Sequence, residues 1–124
     1  STLFPYTTLF RSHGSKDPRW RTSFENLLEK IRKHSPNKIF CLCYLELCRP
    51  SLSETVNDLT DNNPKISNIT IHPIFLSAGV HFNNDIKTMV FNLQSIYPHL
   101  KFKINDVVGN NSIVSNAILK VVTS

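Results

Sequence analysis

Ile39-Phe-Cys-Leu-Cys-Tyr-Leu45, followed shortly by Ser51-Leu-Ser-Glu54, decides the reading of the fold. The first stretch is a nearly continuous apolar run, the pattern of a strand covered on both faces, and it predicts a central strand of a parallel sheet. The second, directly after Pro50, is a capping-box pattern in which the serine oxygen accepts from a backbone N–H one turn on while the glutamate reaches back. Leu52, Val56 and Leu59 then fall on one side of a helix, and Asn62-Asn63-Pro64 stops it. A buried strand running into a capped helix is half of a β–α–β unit.

The same alternation extends in both directions. Asp17 can cap a helix with Pro18 at its first position, and Phe24, Leu27, Leu28 and Ile31 recur at helical spacing as far as His34. On the other side, Ile69 to Leu76 reads as an apolar strand, with Pro73 tolerable near its end. A turn at Gly79 follows, and then a helix marked by Ile86, Met89, Val90 and Leu93 that must end before Pro98. Lys101-Phe-Lys-Ile104 alternates polar and apolar and reads as an edge strand, and a last helix carries Ile113, Val114, Ala117, Ile118 and Val121. The implied fold class is α/β: an open, mainly parallel sheet of about four strands with helices on both faces, joined by right-handed crossovers.

A chain of 124 residues suits one domain. No apolar run approaches the roughly 20 residues that span a bilayer, so no membrane partner is expected. The opening residues have no secretory pattern, and three cysteines, Cys41, Cys43 and Cys48, crowd one stretch with none elsewhere to pair with. A reducing cytoplasm fits that usage. The net charge of +5 favours anionic partners, but the basic residues are scattered and not interleaved with aromatics. This points to an acidic small molecule and away from nucleic acid.

In open parallel sheets ligands bind beyond the carboxyl ends of the strands. Those positions hold His13-Gly14-Ser15, then Glu46, then Ser77-Ala-Gly-Val-His81. Two imidazoles and a carboxylate on one rim could hold a divalent ion or move a proton. On spacing alone they could equally be idle polar groups.

The residues around them carry a resemblance. His13-Gly-Ser-Lys-Asp-Pro-Arg-Trp20, Leu45-Glu-Leu-Cys-Arg-Pro-Ser-Leu52 and Pro73-Ile-Phe-Leu-Ser-Ala-Gly-Val-His-Phe-Asn-Asn-Asp-Ile86 together resemble the short sirohydrochlorin chelatases, in order and approximate spacing. These enzymes insert cobalt or iron into sirohydrochlorin during cobalamin or siroheme synthesis. The resemblance implies a chelatase-like domain with flavodoxin-like layering. It implies that His13 and His81 handle the metal and that Glu46 acts beside His13 in catalysis and touches the substrate. The loop Leu76, Ser77, Ala78, Gly79, Val80 and His81 would then face the tetrapyrrole. The implied partners are sirohydrochlorin and a divalent ion, Co²⁺ or Fe²⁺, with no further cofactor. Ni²⁺ and Zn²⁺ also suit such donors, so the residues do not choose the metal. Short members resemble half of the two-domain chelatases, which implies a homodimer whose facing clefts enclose the macrocycle.

The residue types suit the chemistry. A free-base tetrapyrrole loses two N–H protons while the incoming cation exchanges water for ring nitrogens, so a base and labile ligands are both needed, and histidine serves either purpose near neutral pH. Gly79, between small neighbours, allows close backbone approach to a flat ring. Two rivals have different signatures. A non-catalytic metal or tetrapyrrole carrier would use the same histidines without turnover. A binding module for a phosphate-bearing cofactor would need a Gly-rich cradle, and the loop after the first strand offers only Gly14.

Other residues invite plainer readings. Cys41 and Cys43 lie two apart on a buried strand and act as small apolar fillers, and Cys48 reads as packing. His34, His72 and His99 read as solvated or hydrogen-bonded imidazoles, Trp20 as packing, and Arg19 and Arg49 as surface groups near the mouth. Glu29-Lys-Ile-Arg-Lys33 is the wet face of a helix. Finally, Thr2-Leu-Phe-Pro-Tyr-Thr-Thr-Leu-Phe-Arg-Ser12 resembles one translated frame of a common sequencing adapter. That predicts a non-native segment over residues 1–12 standing in for the first strand, and a single domain over 13–124. The alternative is a native strand, since Tyr6-Thr-Thr-Leu-Phe10 has the β propensity for one.

Overall fold

A computed structural model describes residues 2–6, 18–44, 49–77 and 79–124. The chain runs β1 (Thr2–Tyr6), α1 (Pro18–His34), β2 (Phe40–Tyr44), α2 (Leu52–Asn62), β3 (Asn68–Ile71), α3 (Val80–Ile96), β4 (Lys101–Ile104) and α4 (Ser112–Thr123), with a 3-10 turn over Val108–Asn110. The strands pair in the order β2-β1-β3-β4, all in parallel. Thr2 lies opposite both Phe40 and Thr70, and Asn68 opposite Lys101.

This order corrects one expectation. Ile39–Leu45 was read as a central strand, but β2 is an edge strand, with β1 as its one neighbour in the sheet. Its apolar run reflects coverage of two faces, which does not distinguish edge from centre. Cys41 and Cys43 point towards α2, joining Leu52, Val56 and Leu59 in the core, while Leu42 points the other way to meet Phe24, Leu27 and Ile31 of α1. The open edge is blunted by side chains and loop. Arg32 donates from Nε and Nη2 to the Phe40 carbonyl at 3.3 and 2.9 Å, and the Tyr44 N–H donates to the Pro50 carbonyl at 2.9 Å. β4, by contrast, is the edge strand its alternation predicts, with exposed Lys101 and Lys103.

One continuous core joins Cys43, Val56, Leu59, Ile69, Ile71, Ile86, Leu93 and Leu100. It lies between the sheet and the α2–α3 layer, so α1 covers one face and α2 and α3 the other. Each fully buried aliphatic side chain in this layer contributes roughly 1.5–3 kcal/mol.

The helix boundaries follow the sequence signals. α1 starts at Pro18 and ends at His34, while Asp17 lies outside the described residues. α2 has the full capping box, with Ser51 Oγ accepting from the Glu54 N–H and Glu54 Oε1 from the Ser51 N–H, both at 3.2 Å. It ends against Asn63. α3 stops at Ile96, ahead of Pro98.

The third strand is shorter than expected. Ile69–Leu76 was read as one strand, but β3 ends at Ile71. Pro73 has no N–H to donate to a neighbouring strand. Beyond Ile71 the chain takes its bonds from the segment after β4: the carbonyls of Ile71, Pro73 and Phe75 accept from the N–H groups of Asn105, Val108 and Gly109 at 3.0, 3.0 and 2.8 Å. His72 therefore sits just past the strand, half-buried, with Nδ1 3.0 Å from Asn105 Nδ2. It is the hydrogen-bonded imidazole the sequence suggested, and burial lowers its pKa.

α4 forms where expected, capped by Asn111 Oδ1 accepting from the Ile113 N–H at 2.9 Å, but none of its residues is buried. Ile113 and Val121 are each 77 % exposed and Val122 75 %.

Candidate active site

Because all four strands are parallel, their carboxyl ends share one rim, and β2, β1 and β3 are contiguous along it. β1, β2 and β3 end there at Tyr6, Tyr44 and Ile71. In the sequence, His13 follows β1, Glu46 follows β2, and Ser77 to His81 follow β3.

Of the residues singled out, His13, Glu46 and Ala78 lie outside the described residues, as does Cys48. Leu76 and Ser77 are described and exposed, Leu76 to 68 % despite its apolar side chain. Gly79 is the N-cap residue of α3, in extended conformation (φ −80°, ψ 174°), and Val80 and His81 form the start of that helix. A helix start leaves backbone N–H groups without intrahelical partners and concentrates partial positive charge, which suits an anionic ligand. No acidic side chain occupies this first turn. A Cβ built on Gly79 meets no described residue within 4 Å.

The chain entering α2 carries a contact that the sequence reading missed. Arg49 is the surface group expected there, and it also pairs with Glu54: Nε donates to Oε2 at 3.0 Å, and Nη2 to the same oxygen. This pair holds the Glu54 carboxyl down to about 2, with the Ser51 backbone N–H assisting. Glu54 therefore ties Arg49 to the start of α2. The signal was present as a basic residue five positions before the capping glutamate, but the capping pattern alone accounted for that glutamate.

Two open clefts flank the rim. One, of about 530 Å³, lies beyond β3 and β4 and is lined by His72, Asn105, Asp106, Asn110 and Ile113 among others. The Asp106 carboxylate is engaged, accepting from the Val107 N–H at 2.8 Å and from Asn110 Nδ2 at 3.1 Å. The other, about 350 Å³, follows the outer edge of β2 between α1 and α2, where Arg21 and Arg32 face Glu25 and Asp58. Its balanced charge gives a polyanion no particular hold. Among the described residues no group of three or more His, Cys, Asp or Glu could hold a metal ion. Cys41 and Cys43 are both free, and burial raises both thiols, Cys43 to about 12. They remain protonated packing groups, as their spacing on one strand face suggested.

Comparison with known proteins gives three kinds of match. The model of the CbiX family matches residues 7–124. A sirohydrochlorin cobaltochelatase of Methanopyrus kandleri is 30 % identical over 78 residues, covering 63 % of this chain and 53 % of that protein. The chain spans about half the length of the curated relatives it matches. Among solved structures, a CbiX protein from Marinobacter aquaeolei VT8 superposes with a TM-score of 0.77 at 29 % identity, covering 98 % of this chain and 93 % of that one. The sirohydrochlorin chelatase SirB of Bacillus subtilis subspecies spizizenii, solved with cobalt, superposes with a TM-score of 0.76 at 16 % identity. There 98 % of this chain covers 49 % of the larger one, a likeness of fold to half of that protein.

Proposed function

As the chain belongs to the CbiX family over residues 7–124, we propose that it inserts a divalent metal ion, Co²⁺ or Fe²⁺, into sirohydrochlorin, in cobalamin or siroheme synthesis. The observation that carries this reading is the family match, which spans the His13, Glu46 and Ser77-to-His81 motifs on a chain whose described strands form a parallel sheet. The curated relatives bearing the cobaltochelatase name support it.

In this reading His13 and His81 are the ligands that deliver the ion, and Glu46 is the acid–base group that receives pyrrole protons. The chemistry asks for that division. Each ion inserted displaces two N–H protons, so the site needs exchangeable neutral donors for the cation and an anionic acceptor for the protons. The backbone from Leu76 to Val80 is the surface against which the macrocycle lies, and the start of α3 offers its peripheral carboxylates partial positive charge. Residues 1–12 stand in for a native first strand, and the reducing cytoplasm is the compartment that suits the three thiols.

The active form in this reading is a homodimer. Two observations support it: relatives about twice the length, and the uncovered apolar side chains of α4, whose first turn borders the 530 Å³ cleft beside the rim. A second copy seated on α4 would supply the missing half.

The test is anaerobic mixing of the full chain with sirohydrochlorin and Co²⁺ or Fe²⁺, followed by the visible spectrum. The expected result is metallation faster than the spontaneous rate with many products per protein. Stoichiometric binding without acceleration would identify a carrier instead.

A further inference from the structure

The 3-10 turn Val108–Asn110 is seated on the chain that leads into the rim loop, and one of its residues has no room for a side chain. A Cβ built on Gly109 falls 1.8 Å from the Leu76 carbonyl oxygen, 2.4 Å from its carbonyl carbon and 2.5 Å from its Cα. Those atoms are backbone, so no rotamer change relieves the contact. The approach is held by hydrogen bonds from both sides of it, Val108 N–H to Pro73 at 3.0 Å and Gly109 N–H to Phe75 at 2.8 Å. Gly79, inside the loop, shows the opposite: added atoms there meet no described residue.

We infer that Gly109 is a positioning residue for the reaction: by letting the turn close onto Leu76, it fixes where the Leu76–Gly79 backbone stands relative to the start of α3. The inference rests on the chelatase reading, in which that backbone receives the macrocycle. The argument is one of rigid attachment. Past Ile71 the N–H groups of Asn105, Val108 and Gly109 anchor the chain through the carbonyls of Ile71, Pro73 and Phe75. Any side chain at 109 must push Leu76 outward or lift the turn, and either displaces the loop that follows.

The experiment compares the full chain with Gly109→Ala and with Val108→Pro. The proline removes the N–H that Pro73 accepts while fitting a turn-initial position after the extended Val107 (φ −55°, ψ 141°), so it loosens the attachment without the steric demand. KM for sirohydrochlorin is expected to rise at least tenfold in Gly109→Ala and several-fold in Val108→Pro, with kcat changing less. Backbone amides of residues 76–79 are expected to exchange with deuterium faster in both. A residue that mattered for stability alone would lower the folded fraction and leave KM unchanged. KM within twofold of the parent in the variants that fold, or unaltered exchange at 76–79, would overturn the inference. If the parent chain shows no metallation the chelatase reading falls by itself, and the exchange measurement still decides whether Gly109 sets the loop.

Discussion

Raising the pH should destabilise this protein in part through one buried thiol, Cys43. Cys43 is 0 % exposed in the core against α2, and burial pushes its pKa from 9.0 up to about 12, against a small opposing effect from a hydrogen bond with Thr55. The unfolded chain releases this proton near 9 while the folded chain keeps it, so the native state binds more protons across that window and stability falls as pH rises. Below pH 9 the contribution is complete; at about 1.4 kcal/mol per unit, crossing from pH 9 to 12 removes on the order of 4 kcal/mol. The Cys41 thiol is raised by burial as well, so the informative quantity is the difference from Cys43→Ala. Truncation should cost about 1 kcal/mol near neutrality for the atoms removed. The alanine variant should then become the more stable protein above about pH 10, where the loss from the thiol exceeds that cost. Urea unfolding followed by circular dichroism at half-unit pH intervals, with m-values checked for constancy, measures both curves. Parallel curves from pH 8 to 11.5 would refute the reasoning.

Three further outcomes follow from the geometry. Ser51→Ala removes the acceptor of the Glu54 N–H and should cost about 1 kcal/mol in chemical denaturation. The Glu54 carboxyl should titrate near pH 2 by carbon NMR and return towards the ordinary range in Arg49→Ala; since its pKa is depressed in the folded state, the stabilisation is present above the ordinary carboxylate range and lost as pH falls through about 2. Ile113→Lys combined with Val121→Lys should convert a dimer to a monomer in sedimentation velocity while shifting folding stability by less than about 0.5 kcal/mol per site, because both side chains are exposed in the single chain; a parent protein that sediments as a monomer would contradict the dimer.

Local signals gave good access to the fold. The capping box at Ser51, Pro18 at the start of α1 and Pro98 beyond α3 mark their boundaries through backbone chemistry that depends on neighbours in sequence. What failed were questions of lateral order. An apolar run such as Phe40–Tyr44 reports two covered faces, and nothing in it says whether both edges are paired; the answer lay in Arg32 and Pro50 occupying the outer one. Likewise Ile74, Phe75 and Leu76 have strand-like character, but the Pro73 and Phe75 carbonyls accept from N–H groups beyond β4, and no local pattern couples Gly109 to Leu76. At the site, the rim positions of Leu76, Ser77, Gly79 and the start of α3 were legible because a parallel sheet fixes where loops emerge. The roles proposed for His13, Glu46 and His81 come from the resemblance, since isolated polar residues at strand ends carry no chemistry by pattern alone.

The central claim is tested most directly by the initial rate of metal insertion in the full chain set beside His13→Ala and His81→Ala, under anaerobic conditions with sirohydrochlorin and Co²⁺ or Fe²⁺. The account predicts acceleration by the parent chain that each substitution abolishes while the far-ultraviolet spectrum stays unchanged. Either alanine variant inserting metal at the parent rate would contradict it.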